Sequence, residues 1–157
     1  MLSMKGECAN RLDEQDHRSL VRWAADCAEH VLTYFEAKYP KDDRPRKAIE
    51  AGRAWAHRAI AMSELRTAAL AAHAAARDAD YAPGRAAARA AGHAAATAHV
   101  VGHARHAAAY AVTAAAAYPE IAAASATERD WQYRCLPEHL RSAGAPGTVS
   151  RTAATDE

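Results

Sequence analysis

The chain has 157 residues, a length that suits one compact domain. It carries 20 basic and 19 acidic residues, for a formal charge of +1, and nine histidines in addition. This balance argues against a nucleic-acid-binding protein that depends on a broad basic face, and equally against an acidic mimic of DNA. Alanine, the strongest helix former, makes up nearly a third of the residues. We therefore expect an all-α fold, a compact alanine-rich bundle of about five to six helices.

The first three helices are predicted from caps and prolines. Asp16 can cap a first helix that runs to about residue 38, with apolar residues at helical spacing. Pro40 ends this helix, and Pro45 lies in the first turn of a second, roughly over 44–61. A third helix is expected from residue 63 to about residue 79.

The second half of the chain contains one long run without a clear break. A single helix from Pro83 to residue 118 would be about 50 Å long, which is too long for a domain of this size. We therefore expect a break near Val100–Gly102, where glycine weakens the helix. Pro119 ends the following helix, and a last helix over about 125–141 is interrupted by Pro137.

The two ends of the chain differ in composition from its middle. Residues 1–15 are polar and are predicted to form a flexible N-terminus, ahead of a single helical domain over 16–142. Residues 143–157 have the composition of a linker and are predicted to be disordered.

Cysteine usage and hydropathy bear on location. Cys8, Cys27 and Cys135 form no CxxC pair, which excludes a zinc ribbon, and their odd number favours reduced thiols and a cytoplasmic protein. The N-terminus lacks the apolar stretch of a signal peptide, and Arg, His and Asp interrupt every alanine run. We expect neither a membrane nor a nucleic acid as partner.

Four histidines occur in the alanine-rich stretch GHAAATAHVVGHARHAAAY, residues 92–110. At 100° per residue, a continuous helix would place His99, His103 and His106 in one narrow stripe with Tyr110. Imidazoles at i, i+4 can share a metal ion, and Asp26 with His30 has the same spacing. The candidate metal ligands are His99, His103, His106, Asp26, His30, His73 and His93, and copper, zinc or iron would suit them.

Two other interpretations of the histidines stay open. They can be structural, capping carbonyls or pairing with carboxylates, or they can line a polar ligand pocket with Tyr110, Trp23 and Cys27. Cys27 beside Asp26 has the pattern of an activated thiolate, but it also lies on an apolar stripe, which favours a buried and inert cysteine. The sequence contains no P-loop, HExxH or GxSxG motif, and no catalytic residue is identified.

Several stretches together carry a family resemblance. They are DCAEHVL at 26–32, RPRKAIEA at 44–51, RAW at 53–55, AAHAAAR at 71–77 and AAGHAAATAH at 90–99. Over about residues 20 to 135 the chain resembles bacterial immunity proteins with an immunity-five-like helical domain. The resemblance implies an all-helical protein that binds and neutralises a toxin or toxic small molecule made by the same cell.

Two other functions are open as alternatives to immunity. One is a metal-dependent histidine-rich helical protein using copper, zinc or iron, such as an enzyme of secondary metabolism, and it depends on the histidine stripe. The other is a helical protein that forms a homodimer through flat alanine faces.

Overall fold

The computed structural model describes residues 12–117 and 122–144. Within them the chain is helical without strands, which confirms the all-α prediction. Six helices have 13 or more residues and two have four, so the predicted number of five to six was slightly low. The helices are α1 Glu14–Val31, α2 Thr33–Glu36, α3 Arg44–Ala56, α4 Met62–Asp78, α5 Ala82–Ala96, α6 His103–Ala115, α7 Ala122–Cys135 and α8 Arg141–Gly144, with a 3-10 helix at Glu138–Leu140. Most of the predicted flexible ends, and Pro119, lie outside the described residues.

Helix α5 is the centre of the bundle. It packs against α1, α3, α4 and α6, while α7 packs against α6. The alanines that make these contacts have no exposed surface, namely Ala87, Ala88, Ala90, Ala91, Ala94 and Ala95. Because a methyl group is the whole side chain, four helices can approach α5 closely. Larger buried residues surround this alanine core, among them Leu20, Phe35, Ile49 and Leu65.

The ends of α1 and α3 differ from the predicted ones. Asp13, not Asp16, caps α1, because the Asp13 carboxylate accepts a hydrogen bond from the Asp16 backbone N–H at 2.7 Å. Helix α3 ends at Ala56 rather than near residue 61. Arg58 adopts a left-handed conformation with φ 62°, and the N–H of Ala59 closes the turn on a carbonyl five residues earlier.

The predicted break between α5 and α6 is confirmed. Helix α5 ends at Ala96, Thr97 is its C-cap, and Gly102 precedes α6. Thr97 is fully buried, and its carbonyl accepts a hydrogen bond from the imidazole Nε2 of His17 at 2.8 Å. The break is thus fixed to α1, and it allows α5 and α6 to pack side by side instead of forming one long rod.

Helix α7 is attached to the bundle by buried polar contacts. The indole N–H of Trp23 donates to the carbonyl of Gln132 at 2.8 Å, and the Gln132 amide donates to the carbonyl of Ala108 at 3.0 Å. Pro137 interrupts the last helical segment, as predicted, since α7 ends at Cys135 and a 3-10 helix follows.

The close approach of helices to α5 predicts that Ala91 cannot be enlarged. Ala91→Leu should lower the free energy of unfolding by about 1–3 kcal/mol, because the added atoms must push neighbouring helices apart. Urea unfolding followed by circular dichroism measures this difference. Ala109→Leu, at an exposed position of α6, is the matched control and should be close to neutral. Equal effects of the two variants would contradict the proposed packing constraint.

Candidate functional site

Four histidines from three helices meet at one place and form what we call the histidine cluster, His73 of α4, His93 of α5, and His103 and His106 of α6. His93 lies in the middle. Its ring centre is 4.9, 5.1, 5.2 and 5.3 Å from the ring centres of His73, His103, His106 and Tyr110, respectively. The Tyr110 ring is nearly parallel to the His93 ring, at 8°. The cluster is partly buried, with His106 its most exposed member.

The local sequence explains how the cluster forms. On α6, His103, His106 and Tyr110 follow at i, i+3 and i+7, which places them on one face. The break after α5 brings this face against His93. Gly92 makes room for the third helix, because a Cβ atom at this position would lie 2.7 Å from the imidazole of His73. Gly92, next to His93 in the sequence, is therefore part of the site, because its lack of a side chain leaves space for His73.

Burial favours the neutral form of three histidines of the cluster, His73, His93 and His103. Burial is the largest cause that lowers the pKa of His93, and together with the nearby His73, His103, His106 and Arg89 it brings the pKa to about 3. Burial also lowers the pKa values of His73 and His103. The charged neighbours that act on these groups are cations and other histidines.

A hydrogen bond within the cluster agrees with neutral imidazoles. Nδ1 of His93 and Nδ1 of His103 are 2.9 Å apart, so one ring must donate its N–H and the other must accept. Two doubly protonated rings could not make this contact, because both nitrogens would carry hydrogen.

His99 lies outside the cluster. The stripe of His99, His103 and His106 requires a continuous helix, and the break before α6 removes it. Nε2 of His99 is instead 2.7 Å from Nη2 of Arg66, which donates the hydrogen bond. Sequence reasoning did not single out Arg66, and its i, i+4 spacing from Leu70 was the available signal.

Asp26 and His30 are engaged by other partners. Arg53 donates to the Asp26 carboxylate at 2.6 Å. Nδ1 of His30 is 2.6 Å from Oε2 of the buried Glu128, and the His30 ring stacks on Trp131 at 4.1 Å. These contacts join α1 to α3 and α7, and they favour the structural interpretation for this pair. Glu128 was missed by sequence reasoning, although Glu128 and Trp131 share a helical face at i, i+3.

Tyr110, Trp23 and Cys27, the three residues predicted to line a ligand pocket with the histidines, lie in different environments. Tyr110 stacks on His93, whereas Trp23 is buried and hydrogen-bonded to α7. Cys27 is fully buried, and burial raises the pKa of its thiol, with the nearby Glu128 and Asp26 charges adding to the effect. The structure thus favours the inert interpretation of Cys27 over an activated thiolate.

The structure shows no ready-made metal centre in the residues it describes. No group of three or more His, Cys, Asp and Glu side chains among them is arranged so that it could hold an ion. Of the seven predicted ligands, the structure brings together His73, His93, His103 and His106, and it places Asp26, His30 and His99 with other partners. Metal binding stays a prediction.

The fold and the site define an alanine-packed helical bundle with a cluster of histidines on one side. A family model described as Imm-5 like putative immunity protein matches residues 10–139. The chain therefore belongs to this family, which confirms the resemblance noted from the sequence. Neither the search of curated proteins nor the search of solved structures returned a match. No helix in the described ranges is long and apolar enough to cross a membrane.

The neutral histidines predict a loss of stability in mild acid. In the unfolded chain an imidazole titrates near pH 6.5, whereas the folded-state pKa of His93 is about 3. As the pH falls below about 6.5 the unfolded state binds protons that the folded state does not, so stability is full above this pH and declines below it. We expect the melting temperature to fall by several degrees between about pH 7 and pH 5.

Calorimetry across this range checks the assignment to the cluster. His93→Gln should flatten the decline, while His57→Gln, at an exposed position of the chain, should leave it unchanged. The Glu36 carboxylate does not interfere, because Arg46 keeps its pKa below the ordinary 4.5. A pH profile that is the same in both variants would show that another group causes the decline.

Proposed function

We propose that this protein is an immunity protein that binds and neutralises a toxin. Membership of the Imm-5 like family carries the proposal. The matched residues 10–139 include all helices from α1 to α7, so the proposal concerns the whole bundle.

The architecture supports a function that depends on binding. The alanine core around α5 gives a scaffold in which surface side chains are held by closely packed helices. On one side of it, the histidine cluster and an adjacent groove between α4 and α5 share His73. A preformed surface of this kind can cover part of a toxin without chemistry of its own.

A genetic test examines the proposal directly. Deletion of the gene in the organism that encodes it should make the cells sensitive to an extract of their own wild-type culture. A plasmid copy of the gene should restore growth, and immobilised protein should remove the toxic activity from the extract. An unrelated helical protein of similar size is the control for the column. Unchanged sensitivity of the deletion strain together with no retained toxicity would refute the proposal.

Transition-metal binding by the histidine cluster is a second candidate function. The favouring observation is that ring centres around His93 are 4.9–5.2 Å from those of three other histidines. Two imidazoles on one tetrahedral ion, with metal–nitrogen bonds of about 2.0 Å, have ring centres about 5 Å apart. Neutral imidazole is also the form that binds a metal. Ligation by three or more of the histidines would require rings to rotate, because no such group among the described residues is arranged to hold an ion.

Elemental mass spectrometry tests this candidate. Untagged protein purified without chelator, or loaded afterwards with copper, zinc or iron, should hold about one ion per chain. The double variant His93→Ala and His103→Ala should lose it, and His57→Ala should retain it. A wild-type protein that stays metal-free after each loading would eliminate the candidate and leave the immunity proposal standing.

A further inference from the structure

Arginines on the two sides of the bundle differ in their partners. On α3, Arg44, Arg46 and Arg53 each donate hydrogen bonds to carboxylates. On α4, Arg66 donates to the imidazole of His99, and it meets no carboxylate in the part of the chain that the structure describes. Arg89 of α5 likewise has no ion pair with a described residue. The side of the molecule that carries Arg66 therefore has cations without matching anions.

The sequence around this side explains the imbalance. No Asp or Glu occurs between Asp80 and Glu120, a stretch that contains all of α5 and α6. On α4, Asp78 is paired with Arg44. Glu64 is two residues before Arg66 and so lies about 200° round the helix from it. The charges that act on His73 are those of Arg77 on its own helix and of Arg89 and His103 on neighbouring helices.

Beside Arg66 lies a groove, the α4–α5 groove, of about 440 Å³. Its walls are mainly apolar and come from Met62, Leu65, Ala69, Leu70, Ala95 and Ala96, and Arg66, His73 and His99 complete the lining. Leu70 is 64% exposed, and Val100, next to His99, is 53% exposed. These two are among the few large apolar side chains that the described surface leaves open, and they flank the same arginine–histidine pair.

We propose that the α4–α5 groove binds a segment of the toxin in which an apolar side chain is flanked by carboxylates. The apolar side chain would cover Leu70 and the alanines of the groove floor, which removes exposed apolar surface from water. A carboxylate would accept both N–H groups of the Arg66 fork in place of the His99 ring, a stronger hydrogen bond than the existing one. The identity of the partner rests on the proposed function, whereas the chemistry of the segment follows from the groove.

A peptide probe tests the groove without knowledge of the toxin. Fluorescence anisotropy of the full-length protein is measured with three labelled peptides of equal length, composed of glutamate and leucine, lysine and leucine, or glutamate and serine. Only the first should bind, and its affinity should fall as salt is raised, because charges contribute to it. Absence of binding by the glutamate–leucine peptide, or equal binding of all three, would overturn the inference.

Two variants place the binding in the groove. Arg66→Glu and Leu70→Glu should each weaken binding of the glutamate–leucine peptide by at least about tenfold. Lys47→Glu is the matched charge reversal, at an exposed position of α3 away from the groove, and should bind like wild type. All three positions are exposed, so the variants should melt like wild type. Equal affinities in the three variants would refute the site.

The same variants separate this inference from the proposed function. In the deletion strain, wild type and Lys47→Glu should restore protection, and Arg66→Glu and Leu70→Glu should not. If all four restore it, the groove assignment is wrong and immunity stands. If wild type itself gives no protection, the proposed function fails, and the peptide measurements still decide what the groove binds.

Discussion

The close packing of alanine around α5 is the constraint on which the other features of the molecule depend. Helices separated by large side chains stand about 8–10 Å apart, with the distance set by the residues at the contact. Here most residues that α5 contributes to its central contacts are alanines, so α4 and α6 come close to it. The rings of His73 and His103 can therefore both reach His93, although they belong to different helices. The alanine core therefore allows the imidazoles of the histidine cluster to come together.

Charge is distributed over the bundle in two different ways. Around α1, α3 and α7, carboxylates have partner side chains. Arg46 pairs with Glu36, Arg53 pairs with Asp26, and the imidazole of His30 contacts the buried Glu128, and these contacts connect the helices. A buried carboxylate requires such a partner, so Glu128 is better understood as an attachment point for α7 than as part of a reactive site. Around α5 and α6 the carboxylates are missing, and burial lowers the pKa values of His93 and His103. A partner that supplies negative charge gains binding free energy at the surface with unmatched arginines. It gains little at the side where the charges are already paired.

Sequence reasoning was successful where a local signal decides the structure. Alanine content predicted the helical class, Pro137 the interruption after α7, and the length of the 83–118 stretch the break before Gly102. It was less accurate at helix caps. Asp13 and Asp16 are the same residue type and equally suited to an N-cap, and only the position at which α1 begins selects Asp13. It could not assemble the site. Periodicity relates residues within one helix, whereas the contacts of His93 with His73 and of Arg66 with His99 depend on how different helices pack.

His73 connects the cluster to the α4–α5 groove and suggests what the histidines contribute. Its ring lies against Gly92, where a side chain would collide with it, and against the ring of His93. It also forms part of the groove wall. A neutral imidazole fixed in this way presents a polar wall without adding charge. The charge on the groove then comes from Arg66, whose guanidinium is exposed to an incoming carboxylate. On this view the cluster shapes the binding surface through packing, and the imidazoles need not contact the toxin to matter for it. Replacement of His93 would act on the groove indirectly, through the position of His73, whereas replacement of Arg66 would act on the bound segment itself.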